Sequence, residues 1–386
     1  MLLSSCNSPR QFSSKPGQKQ AHLRDPLLSI KRDVLVSRSA TCRTRSQAFD
    51  DIVLVGDIGG TNARLSLRRT SRNSPKSEEI ISVKYPTVKY KTFDLVIEDF
   101  LSLESTKLVR PHAAALAIAG AIEGNKCNMT NLNWVIDGDA LHNLFGFKVA
   151  LLNDFEAVGY GIPALDATDL VCLNDAPIHP HAPKVVMGPG TGLGAAQLFW
   201  DDQRHHYRVL PGEGAHATFA PRGWKQQALS AFATSRFGHC EIEQVACGSG
   251  LELIYEFLLS DEPAHRPEHL KNPDRSPKPA ADISAAALSG SDPIAEEAVD
   301  LFLAIIGQEA GAMALRVLAS GGVYIAGGIT PRLLPRVRHS LLEAFLMKKG
   351  RGPFRKLLKS TPLFVITNDK IGQLGAAEVA KRLITE

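Results

Sequence analysis

The sequence predicts a two-domain α/β protein, on the basis of three observations. The chain has 386 residues, which is more than a single compact domain usually contains. From residue 51 onward, apolar runs alternate with amphipathic segments, a pattern typical of strands and helices that build a largely parallel sheet. A strand, a glycine-rich turn and a returning strand occur twice, at 53–67 and at 184–200, which indicates an internal duplication.

Composition excludes several classes of protein. Apolar residues make up 44% of the chain and charged residues 22%, as in ordinary globular proteins. The sequence contains no run of 18 apolar residues, so it does not predict a membrane span. The six cysteines form no C-x-x-C pair. That absence argues against a disulfide framework and a structural zinc site, and it fits a reducing compartment.

Residues 1–48 differ in composition from the rest of the chain. They hold nine Lys or Arg against Asp25 and Asp33, a net charge of +7, so the remainder carries −3 of the total of +4. The basic excess therefore belongs to this segment rather than to a nucleic-acid-binding surface. A serine-rich, acid-poor stretch without a continuous apolar core is typical of an organellar transit peptide. The serine content favours the plastid stroma; the mitochondrion, or a cytoplasmic protein with an untargeted tail, is the alternative.

In the first half of the chain, apolar runs and alternation predict strands, and apolar residues three and four positions apart predict helices. The predicted strands are 53–55, 65–67, 79–85, 113–119 and 148–152. The predicted helices are 93–103, 139–144 and 155–158. Asp57, Gly120, Asn153 and Asp154 follow predicted strands. Ligands of α/β proteins bind at the carboxyl ends of strands, so these residues are candidates for a binding site.

The second half continues with the same alternation. The predicted strands are 184–187, 196–200, 323–326 and 363–366. The predicted helices are 228–237, 250–259, 333–346 and 375–383. Another helix begins at Pro293, after a capping Asp292, and extends through Leu315, because proline is favoured in the first helical turn. The polar, proline-rich stretch 260–279 is predicted to be an exposed loop.

Three glycine-rich turns after predicted strands carry the candidate chemistry. Glycine has no Cβ, so backbone N–H groups in such turns can approach a polyanion closely. Two turns could hold a triphosphate from either side, and the third could contact a nucleoside, although each stretch alone is also compatible with an ordinary hairpin. Asp57 is a candidate ligand of Mg²⁺, since a carboxylate beside phosphates suits that ion. The candidate nucleotide-binding residues are Gly56, Asp57, Ile58, Gly59, Gly60, Thr61, Gly188, Gly190, Thr191, Gly192, Gly327 and Gly328.

Six motifs in one order carry a resemblance to a known family. They are G-D-I-G-G-T-N-A-R (56–64), M-T-N-L-N-W (129–134), L-N-D-F-E-A-V (152–158), G-P-G-T-G-L-G (188–194), L-P-G-E-G-A-H (210–216) and V-Y-I-A-G-G-I-T-P-R (323–332). From about residue 50 to its end, the sequence resembles the bacterial-type glucokinases of the actin, Hsp70 and hexokinase superfamily. The resemblance implies a two-domain actin-like ATPase fold (ribonuclease H-like) with mixed sheets.

The resemblance also implies domain bounds, an activity and partners. Residues 49–163 would form a small α/β domain and 164–369 a large one, with the helix at 370–386 packing back on the small domain. The implied reaction is ATP-dependent phosphorylation of the 6-hydroxyl of glucose, with Mg²⁺. A homodimer without nucleic-acid or membrane partners is expected. The alternatives are a broader hexose or hexosamine kinase and a sugar-sensing regulator that binds without turnover.

Residue roles carry over from the matching motifs. Asp154 would be the general base that accepts the proton of the sugar hydroxyl, although a helix-capping role is the alternative for the Asn153–Asp154 pair. The implied sugar contacts are Thr130, Asn131, Asn153, Asp154, Glu213, His216 and Glu243. Trp134 is interpreted as a core residue. Ala215 and Pro189 depart from the family pattern, which leaves the range of sugars open.

Removal of residues 1–48 should leave folding and turnover nearly unchanged, because this segment has no core pattern. A fluorescent fusion that lacks the segment should remain in the cytosol, whereas the full-length fusion should enter an organelle. Turnover assays and microscopy of both forms check this expectation. Loss of soluble expression on truncation would contradict a targeting role.

Overall fold

The computed structural model describes residues 51–71, 74–129, 131–260, 277–346 and 353–385. The chain divides into two units, residues 1–46 and 47–386, and every described residue belongs to the second unit. The predicted transit peptide, Thr130 and most of the predicted loop at 260–279 lie outside the described residues.

Strands and helices alternate through the described chain. The strands are β1 (Asp51–Ile58), β2 (Asn62–Thr70), β3 (Ser77–Pro86), β4 (Ala113–Ile118), β5 (Lys126–Met129), β6 (Trp134–Asp137), β7 (Lys148–Asn153), β8 (Leu170–Cys172), β9 (Lys184–Pro189), β10 (Leu193–Asp201), β11 (His206–Pro211), β12 (Val323–Ile325) and β13 (Leu363–Ile366). The helices are α1 (Phe93–Leu101), α2 (Gly138–Phe145), α3 (Asp154–Gly161), α4 (Gly223–Phe237), α5 (Gly248–Ser260), α6 (Ala280–Ser289), α7 (Pro293–Val317), α8 (Leu334–Phe345), α9 (Pro353–Lys359) and α10 (Ile371–Thr385).

Two large sheets repeat one topology. The first has the order β3-β2-β1-β4-β7, and the second has the order β11-β10-β9-β12-β13-β8. In each sheet an antiparallel three-stranded meander is followed by two parallel strands. The shared order confirms the predicted internal duplication. The prediction of a largely parallel sheet is wrong for the meanders, because connections of six residues or fewer join their strands, and connections this short allow only antiparallel neighbours.

The predicted strands and helices are present. Many are longer than the apolar runs alone indicated, whereas the predicted strands 113–119 and 323–326 and the predicted helices 93–103 and 333–346 are slightly shorter. The hairpin of β5 and β6 was not predicted from the sequence, because each strand has only four residues. Trp134, which was interpreted as core, is buried, and its indole N–H donates to the carbonyl of Tyr90 at 3.3 Å. The added length at strand ends comes from ladder hydrogen bonds, which single-sequence periodicity does not register.

α7 is the central helix of the largest apolar core. As predicted, it begins after Asp292, whose side chain accepts hydrogen bonds from the backbone N–H groups of Ile294 and Ala295. By length and composition α7 could cross a membrane, and it is the one such helix among the described residues. Because 67% of its most apolar window is buried inside the protein, its apolar character is that of a core helix.

The last helix, α10, packs on the first sheet and crosses α3. Ala376, Ala377 and Ala380 of α10 share an apolar cluster with strand residues of β1 and β4. At the crossing, a Cβ added to Gly375 would overlap the carbonyl oxygen of Ala157, and one added to Gly161 would overlap that of Ile371. The two helices therefore touch backbone to backbone, which only glycine at these positions permits.

Gly375→Ala should destabilise the protein, because a methyl group has no space between α3 and α10. We expect the free energy of unfolding to fall by about 1–3 kcal/mol, the usual cost of overpacking. Urea unfolding followed by circular dichroism measures the loss.

Gly372→Ala is the matched control, since the nearest atom to its added Cβ is Val158 Cγ2 at 3.9 Å. Its free energy of unfolding should stay within about 0.5 kcal/mol of the parent. Equal stabilities of the two variants would contradict the close crossing.

Candidate active site

Asp57 and Asp154 lie at the same edge of the first sheet. β1 and β7 both run parallel to β4, which lies between them. Asp57 is the penultimate residue of β1, and Asp154 follows the last residue of β7. The carboxyl ends of parallel strands share one edge, so the fold brings together two carboxylates that are almost one hundred residues apart.

The first glycine turn joins β1 and β2. The N–H of Gly59 donates to the carbonyl of Asn62 at 2.9 Å, which closes the turn. Two hydrogen bonds from Thr87 stabilise this turn. The Thr87 hydroxyl donates to the carbonyl of Gly60 at 2.9 Å, and its N–H donates to the carbonyl of Thr61 at 3.1 Å. The sequence analysis missed Thr87, which is buried and lies in an unremarkable Pro-Thr-Val stretch.

Two of the predicted nucleotide-binding residues pack beneath this turn. A Cβ added to Gly56 would lie 2.6 Å from Leu116, so that glycine makes room for core side chains. The Ile58 side chain is buried in the same core. Gly59 is half-buried, whereas Gly60 and Thr61 are exposed. The exposed part of the turn is therefore the part that can face a ligand.

The second and third glycine turns touch each other. In the second turn, the N–H of Gly190 donates to the carbonyl of Gly192 at 2.8 Å. Gly327 begins the third turn with φ of 84°, a left-handed conformation that favours glycine. A Cβ on Gly327 would overlap the carbonyl oxygen of Pro189. Residues that are separated by more than 130 positions thus form one continuous backbone surface.

Glu243 supports the second turn. Its Oε2 accepts a hydrogen bond from the N–H of Leu193 at 2.8 Å. A Cβ on Gly192 would lie 2.5 Å from the same oxygen, so the carboxylate fits against a glycine. In this structure one oxygen of this predicted sugar contact is therefore bonded to the turn.

A cleft of about 470 Å³ unites several predicted residues. Its lining includes Asp57, Asp154, Gly327, Gly328, Arg332 and Gln373. Arg332 is the one Lys or Arg that lines the cleft among the described residues. Gln373 at the start of α10 is buried, and its Oε1 has no hydrogen-bond partner within the described chain. The sequence analysis missed both residues.

The cleft raises the pKa of both aspartates. Burial raises the pKa of Asp154, and the nearby charges of Asp57 and Glu213 add to this effect, while the Phe155 N–H opposes it. Although Asp57 is exposed to the cleft, the surrounding protein partly desolvates it and raises its pKa, against the opposing charge of Arg64. Both carboxyls consequently hold protons more tightly than an exposed aspartate does.

The helix-capping role, the alternative for the Asn153–Asp154 pair, is filled by Asn153. Asn153 is the N-cap of α3, and its Oδ1 accepts the N–H groups of Phe155 at 2.9 Å and Glu156 at 3.3 Å. The Asn153 amide also donates to the carbonyl of Gly120 at 3.3 Å. Asp154 is the first residue of α3, and its Oδ1 accepts the Phe155 N–H at 2.9 Å. Asn153 thus fixes the strand end, and Asp154 lines the cleft.

Glu213 and His216 lie on the loop after β11. The His216 Nδ1 lies 2.8 Å from Glu241 Oε2, and its Nε2 lies 3.9 Å from Glu213 Oε2. The effect of Glu213 on the pKa of Asp154 places this loop within electrostatic reach of the cleft. Asn131 is exposed, in the turn between β5 and β6.

The described residues contain no group of three or more His, Cys, Asp or Glu side chains that could hold a metal ion. That finding is compatible with Mg²⁺, which usually binds one or two carboxylates and otherwise takes phosphate and water oxygens. The Asp57 carboxylate at the cleft is suited to that role.

The family model described as Glucokinase matches residues 54–383. The chain belongs to the glucokinase family. The glucokinase of Synechocystis sp. is 36% identical over 348 residues, which span 85% of this chain and 97% of that protein. The glucokinase of Yersinia pestis is 37% identical over 325 residues, which span 84% of this chain and 94% of that protein.

Solved glucokinases share the architecture. The glucokinase from an Antarctic psychrotroph is 28% identical with a TM-score of 0.75, covering 86% of this chain and 99% of that chain. The glucokinase from Balamuthia mandrillaris, solved in complex with glucose, is 25% identical with a TM-score of 0.66. The match covers 87% of this chain and 95% of that chain. The fold of this glucokinase-family chain is the predicted actin-like ATPase fold with mixed sheets.

Proposed function

We propose that this protein transfers the γ-phosphoryl group of ATP to the 6-hydroxyl of glucose. The observation that carries the proposal is the position of Asp154. Its carboxylate lines one cleft with Asp57 and the third glycine turn, and the other two glycine turns belong to the duplicated hairpins. Phosphoryl transfer depends mainly on positioning and charge stabilisation. One well-positioned carboxylate, together with backbone N–H donors, is therefore a reasonable minimum for catalysis.

Asp154 acts as the general base in this proposal. Its pKa is raised by burial and by neighbouring carboxylates, which makes it a better proton acceptor than an exposed aspartate. Above this raised pKa the Asp154 carboxylate is ionised and can accept a proton. Activity should therefore fall as pH drops through that pKa. Asn153 keeps Asp154 at the strand end through its bonds to α3 and Gly120.

The nucleotide would lie against the glycine turns. Gly60 and Thr61 are exposed, and the paired second and third turns are rich in glycine, so backbone N–H groups of these turns are the proposed phosphate contacts. Arg332 supplies a positive charge at the same cleft. Asp57 would hold Mg²⁺, which neutralises phosphate charge when it is bound.

Glucose would contact Glu213 and His216, with Thr130, Asn131 and Glu243 as further proposed contacts. Carboxylates accept and imidazoles donate hydrogen bonds, which suits recognition of a polyol. Closure of the cleft over the sugar would exclude water, which otherwise competes as the acceptor. Assays with glucose, mannose, fructose and glucosamine test the selectivity.

The setting of the enzyme is also part of the proposal. The basic, serine-rich composition of residues 1–48 supports import into the plastid stroma. We further propose a two-domain division near residue 163 and a homodimer, which analytical ultracentrifugation of the form lacking residues 1–48 would test.

Asp154→Asn should lower kcat by about 10²- to 10⁴-fold, the usual contribution of a general base. Asparagine keeps the size of the side chain, and the cap of α3 is supplied by Asn153, so the helix should remain intact. Coupled detection of ADP measures turnover, and calorimetry should show that glucose binding is largely retained.

Asp94→Asn is the control, because Asp94 also lies in the first turn of a helix but away from the cleft. Its turnover should equal that of the parent. An Asp154→Asn variant with parental kcat would refute the base assignment. A parent protein that binds glucose and ATP without forming ADP would instead identify a sensor.

Glu213→Gln should chiefly raise the KM for glucose. A charge-assisted hydrogen bond contributes roughly 1.5–3 kcal/mol, which corresponds to about a 10- to 100-fold change. The KM for ATP should barely move, because the loop does not belong to the glycine turns. Steady-state kinetics with each substrate varied in turn measures both values, and an equal rise in both would indicate a structural role for the loop.

A further inference from the structure

A carboxylate outside the predicted site links two histidines beside the sugar loop. Glu241 Oε2 lies 2.8 Å from His216 Nδ1, and Glu241 Oε1 lies 2.8 Å from His239 Nε2. Both oxygens of one carboxylate are therefore bonded to imidazoles. Of these three residues, only His216 belongs to a motif that the sequence analysis assigned to sugar binding.

The backbone holds Glu241 opposite the sugar loop. Thr218 and Glu241 form an isolated antiparallel bridge. On either side of it, the N–H of Ile242 donates to the carbonyl of Ala217 at 2.9 Å, and the N–H of Phe219 donates to the carbonyl of Cys240 at 2.8 Å. These bonds tie the segment that carries Glu241 to the segment that follows His216. The contact between the two side chains is thus fixed by paired backbone.

The bond at Nδ1 determines what the other ring nitrogen can do. With the Nδ1–H donated to Glu241, His216 turns its Nε2 toward Glu213, which lies 3.9 Å away. In the neutral ring that Nε2 can only accept a hydrogen bond, whereas in the imidazolium it donates one. A sugar hydroxyl both donates and accepts, so an Nε2–H beside the Glu213 carboxylate offers complementary partners to neighbouring hydroxyls.

We propose that Glu241 is a positioning residue for sugar recognition, which orients the His216 ring and keeps its Nε2 a hydrogen-bond donor. The proposal rests on the proposed function, since it assigns the sugar to the edge of the loop formed by Glu213 and His216. Glu241 contacts the imidazole and not the sugar. His239 contacts the other oxygen of the Glu241 carboxylate and so restrains its orientation.

The charged groups around His216 support this role. The hydrogen bond from Glu241 is the largest cause that raises the pKa of His216, and the charges of Glu243 and Glu213 act in the same direction. Partial burial opposes them. The imidazolium therefore persists to higher pH than in a free histidine. Sugar affinity should be present below this raised pKa and should fall as pH rises through it.

Two substitutions at Glu241 separate orientation from charge. Glu241→Gln keeps an oxygen that can accept the Nδ1–H but removes the charge, so the pH at which glucose affinity falls should move lower. Below that pH its KM for glucose should stay within about twofold of the parent. Glu241→Ala also removes the hydrogen bond that orients the His216 ring. Its KM for glucose should therefore rise about three- to fivefold even at low pH. An effect of this size is expected for a partly exposed ion pair. The KM for ATP should be unchanged in both variants.

The His216 pKa is measured separately, by NMR titration of histidine-labelled protein, and should fall in both variants. Glu104→Gln is the control, since Glu104 forms a comparable contact of 2.7 Å with Lys107 on an exposed surface. Melting temperatures within 2–3 °C of the parent, a shift of under about 1 kcal/mol, would establish that the variants are folded.

Two results would overturn the proposal. One is an unchanged pH dependence and KM for glucose in both variants. The other is a lowered His216 pKa without any change in glucose affinity. Neither result touches the proposed function, which fails only if the parent protein forms no glucose-dependent ADP. If Glu241→Ala proves unstable, the pH at which glucose affinity falls in Glu241→Gln still tests the proposal.

Discussion

The backbone contact between α3 and α10 is the constraint on which the candidate site depends. α3 begins with Asp154, and α10 packs against the strand that carries Asp57. The absence of side chains at Gly161 and Gly375 lets the two helices meet without intervening atoms. The contact thereby fixes Asp154, the proposed base, relative to Asp57 near the end of β1. It also brings the start of α10, with Gln373, to the wall of the same cleft.

The described residues that line the cleft carry more negative than positive charge. Asp57, Asp154 and Asp369 line it, and the charge of Glu213 also reaches Asp154. Among the described residues that line the cleft, Arg332 is the one Lys or Arg. Backbone N–H groups of the glycine turns and a divalent cation would supply the remaining compensation. Burial, and then the charges of Asp57 and Glu213, raise the pKa of Asp154, which suits the proposed role of this residue as the base.

The duplicated sheets show how one topology serves two chemical roles. In the first sheet the glycine turn is braced by the Thr87 hydroxyl, and its strand presents Asp57. In the second sheet the corresponding turn is braced by the Glu243 carboxylate, and its strand ends in Pro189. The hairpin geometry is common to both because the sheet order is common. Of the two hairpins, the one in the first sheet supplies a carboxylate, Asp57, to the described lining of the cleft.

The sequence by itself determined the order of most of the elements and the three glycine turns, because each leaves a local signal. Alternation marks strands, Gly-Gly marks turns, and Asp292 before Pro293 marks a helix start. The family motifs added Asp154. Only the tertiary structure decided that Asn153 rather than Asp154 caps α3, that a third antiparallel strand completes each meander, and that Glu241 holds His216. These outcomes depend on hydrogen bonds and packing in three dimensions, often between residues far apart in the chain. Residue type and spacing along the sequence therefore do not predict them.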